Sequence, residues 1–185
     1  MSTVTVVVII LAVVALAALI FVSVQKQRTK RLRAKFGPEY DRLVHQYGSP
    51  QKAEADLALR ERRVEKLSLR DLDPPEAERF AHAWRTEQAR FVDSPRETVA
   101  KADRLVGELM NAVGYPVGDF EQRAADISVD HPRVVENYRA AHRLAELDAR
   151  GEGSTEDLRQ AMVHYRALFE DLLSRHVVST EEVKK

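Results

Sequence analysis

Apolar and polar positions are distributed very unevenly along the chain. From Val4 to Val24, 21 consecutive positions carry no charge, and only Thr5 and Ser23 interrupt Val, Ile, Leu, Ala and Phe. As a helix this stretch is about 31 Å long, the thickness of a bilayer's hydrocarbon core. After Gly37-Pro38 the pattern becomes amphipathic. Tyr40, Leu43, Val44 and Tyr47 recur at helical spacing, and Gly48-Ser49-Pro50 is the next break. From Gln51 to Leu67 the apolar stripe is thin (Ala53, Leu57, Val64, Leu67), with Arg60 where it should continue. A seam this narrow suits a stalk or a coiled-coil contact.

Stronger helices follow. Asp73-Pro74-Pro75 opens one that carries Phe80, Trp84 and Phe91. Ser94-Pro95-Arg96-Glu97 has the spacing of a capping box with Pro at the first helical position. The helix behind it places Val99, Ala102, Val106, Leu109 and Val113 on one face, and Gly114 is placed to stop it. Gly107, inside that helix, costs about 1 kcal/mol against Ala, which a close helix–helix approach would explain. Asp119 begins a short helix with Phe120, Ala124 and Ile127 in step. Asp130-His131-Pro132 ends it and opens the next, which buries Val134, Val135, Tyr138, Ala141, Leu144 and Ala145. Gly151-Glu152-Gly153 reads as a flexible link. Ser154-Thr155-Glu156-Asp157 is a second capping box, before the strongest stripe of all: Leu158, Ala161, Met162, Tyr165, Leu168, Phe169, Leu172 and Leu173. No segment alternates with period two. The expectation is an all-α chain: a transmembrane helix (4–24), a basic juxtamembrane segment (25–36), a stalk-like helical region (37–72), an antiparallel helical bundle (73–176) and a flexible tail (177–185). Asp119 and Asp130 are expected to cap helices.

Charge changes the picture at the N-terminal end. Lys26, Arg28, Lys30, Arg31, Arg33 and Lys35 follow the apolar stretch, and no acidic residue occurs until Glu39. Basic residues are retained on the cytoplasmic side, so the expected orientation is N-terminus outside and body in the cytoplasm. The same six residues suit anionic lipid headgroups, at about 1 kcal/mol each near a charged leaflet. A signal peptide would have a basic start and a shorter apolar core. Met1-Ser2-Thr3 is uncharged and the run is longer, so an uncleaved anchor is favoured, although Ala15-Leu16-Ala17 resembles a cleavage site. Six of the 29 Lys/Arg and none of the 29 Asp/Glu lie within residues 1–36. The rest is therefore net acidic, which disfavours nucleic acid as a partner.

Candidate chemistry is sparse. With no Cys there is neither disulfide nor thiolate chemistry. The six His form no H-E-x-x-H, and none stands three residues after a Glu, so no metal site or cofactor is expected. His142 and Glu146 stand one helical turn apart, but two ligands are too few. No nucleophile elbow or glycine-rich phosphate loop is present. The densest polar stretch, Gly114 to His142, offers one weak candidate recognition surface: Asp126, Asp130, His131, Asn137 and His142. The alternative is that these residues cap helices or line solvent.

Several segments also resemble an uncharacterised bacterial family of single-pass membrane-anchored helical proteins, labelled hypothetical or secreted. They are Phe36-Gly37-Pro38-Glu39-Tyr40-Asp41, Ala89-Arg90-Phe91-Val92-Asp93, Gly114-Tyr115-Pro116, Asp119 to Asp126, Asp130 to Val135, and Ser154 to Met162. The resemblance implies a bacterial inner (cytoplasmic) membrane setting and supplies no catalytic or binding residues. The functional expectation is an integral membrane protein whose helical module binds or positions an unidentified protein partner. The alternatives are a small-molecule binder or enzyme using Asp119–His142, and a stalk that forms a homodimer through residues 50–67.

Overall fold

A computed structural model describes residues 3–177, with side chains from Leu11 onward. Among the described residues the chain is all-helical, with eight helices and no strand; Leu72 and Val177 form an isolated parallel bridge. The helices are α1 (Thr3–Phe36), α2 (Pro38–Tyr47), α3 (Pro50–Val64), α4 (Pro74–Arg90), α5 (Pro95–Val113), α6 (Phe120–Asp130), α7 (Val135–Ala149) and α8 (Thr155–Arg175). The expected tail lies outside the described residues except for Val177.

The apolar stretch and the basic segment form one continuous helix. α1 has 34 residues, so it is about 51 Å long. Among the described residues one helix is long and apolar enough to cross a membrane, and its residues from Leu11 to Arg28 are all exposed. It stops at Gly37, whose φ of 50° is left-handed, and Pro38 opens α2 at its first position.

The fold divides inside α3, into a unit ending at Leu57 and one beginning at Ala58. This boundary falls within the stretch expected as a stalk, 37–72. In the first unit Leu32, Phe36, Tyr40, Leu43, Ala53 and Leu57 are buried. Two carboxylates are buried with them and both are partnered. Glu39 accepts from Arg42 Nε and Nη2 at 2.8 and 2.7 Å. Glu54 accepts from Thr29 Oγ1 at 2.6 Å and Tyr40 Oη at 3.1 Å.

In the second unit α7 packs on α8, α5 on α8 and on α7, α4 on α5, and α6 on α7. Their stripes meet in one core that includes Trp84, Val106, Leu109, Tyr165, Leu168, Phe169 and Leu172, all buried as the periodicity predicts. Trp84 stacks on Phe169 with ring centroids 4.6 Å apart. Residues 58–72 join this unit through polar ties. Arg60, the interruption in the apolar stripe, is buried and donates to Ser128 Oγ at 3.3 Å. The backbone N–H groups of Arg70 and Leu72 donate to the carbonyls of Val113 and His176, at 2.8 and 2.6 Å.

Helix ends follow the expected chemistry in most places. Asp73 and Ser154 complete reciprocal capping boxes with Glu76 and Asp157, and Asp119 caps α6 through Gln122 N–H. Ser94 departs from its expected box: its side chain makes no capping bond. The three working caps have ψ near 160–170°, whereas Ser94 has ψ 65°, outside the extended conformation an N-cap needs to reach the free amides. Asp130 also does not cap; the residue before α7 is Val134, with no side-chain bond.

The glycines are more specific than expected. Gly114 ends α5 with φ 111°, and a Cβ there would meet Ser68 O at 2.6 Å. A Cβ at Gly107 would meet only Arg123 Nη1, at 3.0 Å, so this glycine makes room for a guanidinium rather than for a neighbouring helix backbone. Gly151-Glu152-Gly153 is a formed turn rather than a loose link. Glu152 N–H donates to Leu147 O at 3.0 Å, and a Cβ at Gly153 would lie 2.7 Å from Asp148 Cα.

Candidate functional site

The five residues nominated from the polar stretch do not form one exposed face. Asp126 and His131 are buried, each at 1% exposure, which corrects the expectation that they line solvent. Asp126 accepts from Arg63 Nε at 2.6 Å and from Gln122 Nε2 at 3.0 and 2.9 Å. Asn137 Oδ1 lies 2.8 Å from His164 Nδ1. The His142 ring stacks on Phe120, with centroids 3.6 Å apart, and its Nε2 lies 3.4 Å from Glu146. Only Asp130 and His131 belong to a common network.

That network lies where the loop before α4, the segment after α5, the α6–α7 turn and the end of α8 converge. His131 follows the last turn of α6, and its backbone N–H closes that helix on Ile127 O. Its Nδ1 lies 2.5 Å from Asp171 Oδ2 on α8. Arg175 bonds the same carboxylate, with Nε 3.3 Å from Oδ2, and its Nη1 donates to Asp130 O at 3.2 Å. Tyr115 donates its hydroxyl to Asp130 Oδ2 at 2.9 Å. The His176 ring lies 5.7 Å from that of His131, and its Nδ1 is 3.5 Å from Asp71 Oδ1.

Burial is the largest influence on the His131 and Tyr115 side chains here. The His131 pKa is lowered from its ordinary value, chiefly by burial and against the attraction of Asp171. Nδ1–H donating to Asp171 accounts for the short contact. Nε2 is buried with no hydrogen-bond partner, so a second proton would have no acceptor. Burial first, and Asp130 second, push the Tyr115 hydroxyl up. Burial raises Tyr165 too; its hydroxyl donates to Asp103 at 2.9 Å.

A carboxylate that orients an imidazole through Nδ1 is half of a general-base arrangement. The other half requires Nε2 to face a substrate, and here it faces the interior. The geometry therefore ties α8 to the α6–α7 turn and gives no reacting group access. Among the described residues no three His, Asp or Glu side chains group as a metal-ligand set. The other sequence-nominated residues lie on α1: Lys26, Arg28, Lys30, Arg31, Arg33 and Lys35 are all exposed. Arg33 pairs with Asp41 at 3.3 Å and sits over the Tyr40 ring, 5.1 Å from its centroid.

Sequence reading missed Asp171, Arg63, Arg60 and Tyr115 as partners of this region. Their separations of 40, 63 and 68 residues from His131, Asp126 and Ser128 put the first three beyond any local pattern. The one available signal was Arg60, a charge on an otherwise apolar stripe. No family model, curated protein or solved structure matches the chain.

Proposed function

We propose that this is a single-pass membrane-anchored helical module, with no identifiable catalytic site, that binds or positions another protein. The observation that carries this reading is the contrast along the chain. The described apolar side chains of α1 from Leu11 to Val24 are exposed, while the buried Asp126 and His131 of the second unit are held by Arg63 and Asp171 within it. In this reading residues 4–24 span the bilayer of a bacterial inner membrane, as the family resemblance implies. Lys26, Arg28 and Lys30 meet lipid headgroups, Arg31, Arg33 and Lys35 extend the basic flank beyond them, the N-terminus is outside and the body is cytoplasmic. Residues 73–176 form an antiparallel bundle, the arrangement short connections favour.

The His131–Asp171 pair is the observation that favours the second reading, an enzyme or small-molecule binder. The enclosed Nε2 makes it the weaker one. The dimeric stalk is weaker still, because Ala53, Leu57, Arg60 and Val64 are already buried within the chain.

Photo-crosslinking in the native membrane tests the preferred reading. The exposed apolar positions Leu59, Val92 and Val117 take the photoreactive side chain one at a time. A discrete heavier adduct from any of them supports a protein partner, and one at twice the monomer mass indicates a second copy. Absence of adducts at all three overturns the scaffolding reading and reopens the small-molecule one. A phosphatase fused to the C-terminus, active only outside the membrane, should stay silent; activity would reverse the orientation.

A further inference from the structure

We infer that the α2–α3 turn, residues 47–52, rests in the lipid headgroup layer, with the Tyr47 ring as an interfacial anchor. This deepens the membrane reading above and rests on residues 4–24 spanning the bilayer. The argument is one of height along α1. Helix α1 continues unbroken past Val24, so each later residue stands about 1.5 Å farther from the hydrocarbon edge. Thr29 is then about 8 Å above that edge, at the outer boundary of a headgroup layer about 5–8 Å deep. Phe36 is at about 18 Å.

Thr29 Oγ1 donates to Glu54 Oε1 at 2.6 Å, which fixes the first turns of α3 at the same height. Burial gives the direction in which α3 leaves that point. On α1 Arg28 and the residues before it are exposed, and the buried positions, Leu32 and Phe36, lie beyond Thr29. On α3 Pro50, Gln51 and Lys52 are exposed, and the buried positions begin at Ala53 and continue to Leu57. The covered stretches match when α3 runs away from the bilayer as α1 does. Its opposite, with Leu57 level with the exposed Lys26, leaves that fully buried residue beside uncovered helix. Residues 50–52 therefore lie on the membrane side of Thr29, and the turn before them lies there too. Helix α2 has ten residues and is about 15 Å long, long enough to bring the chain back from the height of Phe36.

The side chains at this height suit that layer. Tyr47 is 40% exposed, an apolar ring with a polar tip, the amphipathic shape that collects at membrane interfaces. Exposed Lys52 and His45 flank it, and Gln46 and Gln51 are neutral.

The chain has no cysteine, so a single introduced one reports its own depth. The full-length protein, in phosphatidylethanolamine–phosphatidylglycerol vesicles, carries a fluorophore at Tyr47→Cys or Gln51→Cys. Ala17→Cys, in the span, and Ala34→Cys, about 15 Å above the edge on α1, are the references. Quenchers are attached to the lipid headgroup, attached to the acyl chain, or dissolved as iodide. Positions 47 and 51 should lose most of their fluorescence to the headgroup quencher, Ala17→Cys to the acyl-chain quencher and Ala34→Cys to iodide. If 47 and 51 instead follow Ala34→Cys while Ala17→Cys stays lipid-quenched, this inference fails and the span stands. If Ala17→Cys is quenched by iodide, the membrane reading itself fails, and this inference with it. Tyr47→Asp in the Gln51→Cys background should lower headgroup quenching; an unchanged signal would remove the ring from the proposal.

Discussion

Leu19 and Leu109 are the same residue in the same kind of helix, yet Leu19 is 66% exposed and Leu109 is fully buried. The difference extends to their surroundings. Along α1, Leu11, Val13, Val14, Leu16, Ile20 and Phe21 are all exposed, with apolar residues on every face of the helix. In the second unit Val106, Leu109, Leu168 and Leu172 occupy one stripe of each helix and are covered completely. A one-sided stripe is satisfied by another helix. An all-round apolar surface needs an apolar solvent, so the distribution around the helix, rather than total hydrophobicity, separates the two.

The largest expected effects separate these regions directly. Leu109→Ala or Leu172→Ala should destabilise the second unit by about 2–5 kcal/mol through lost burial and a cavity. Leu16→Ala should leave its stability unchanged, because Leu16 touches no core. Trp84 is the chain's only tryptophan and is stacked in that core, so its fluorescence in a melt reports this unit alone. Equal melting temperatures for all three variants would break the comparison. A charge reverses the ranking: Leu16→Arg should cost insertion about 2.5–3.5 kcal/mol, read as loss from the membrane fraction, with the Trp84 melt unaltered.

Arg63→Ala probes how far polar ties substitute for apolar burial. It removes the guanidinium from Asp126 and leaves a buried carboxylate with Gln122 as its remaining side-chain donor. A loss of roughly 1–3 kcal/mol is expected in the same melt. No change would mean that residues 58–72 are not held to the second unit by this pair.

The elements were legible because their signals are local. Stripes at 3.6-residue spacing, Pro at first helical turns and Gly114 at a helix end each act within a few residues. The interior of the candidate region was not. Asp126 and His131 look like solvated polar residues until Arg63 and Asp171 arrive from distant helices. The Ser94 box failed although its spacing to Glu97 is correct, because a ψ of 65° is not something residue spacing encodes.

His131 makes the second unit sensitive to pH. Its folded pKa is lowered, so its contribution is fully present above the unfolded value of about 6.5. Below that pH the unfolded chain takes up a proton that the folded chain resists, and stability falls. Asp171 and Arg175 on α8, with His176 and Tyr115, face the ring and set the steepness. His131→Asn, which keeps a donor for Asp171, should flatten the Trp84 melting temperature between pH 7 and 5. A slope equal to the parent's would show that His131 does not carry the pH dependence.

The smallest effects come from the two serines whose sequence boxes look alike. Ser154 accepts from Asp157 N–H at 3.2 Å, and its own N–H donates to Asp157 Oδ2 at 2.8 Å. Ser154→Ala removes the side-chain half of that exchange and should cost about 0.5–2 kcal/mol, while Ser154→Asn can still accept and should preserve most of the stability. Ser94 makes no such bond, so Ser94→Ala should cost at most a few tenths of a kcal/mol. A catalytic serine would behave differently: its Asn variant would remain folded and lose function. The four melts, parent and three variants, therefore test capping geometry against sequence spacing. A loss at Ser94→Ala equal to that at Ser154→Ala would show that spacing alone makes the cap. Negligible losses at both Ser154 variants would remove the capping account and return that serine to the list of candidate reactive groups.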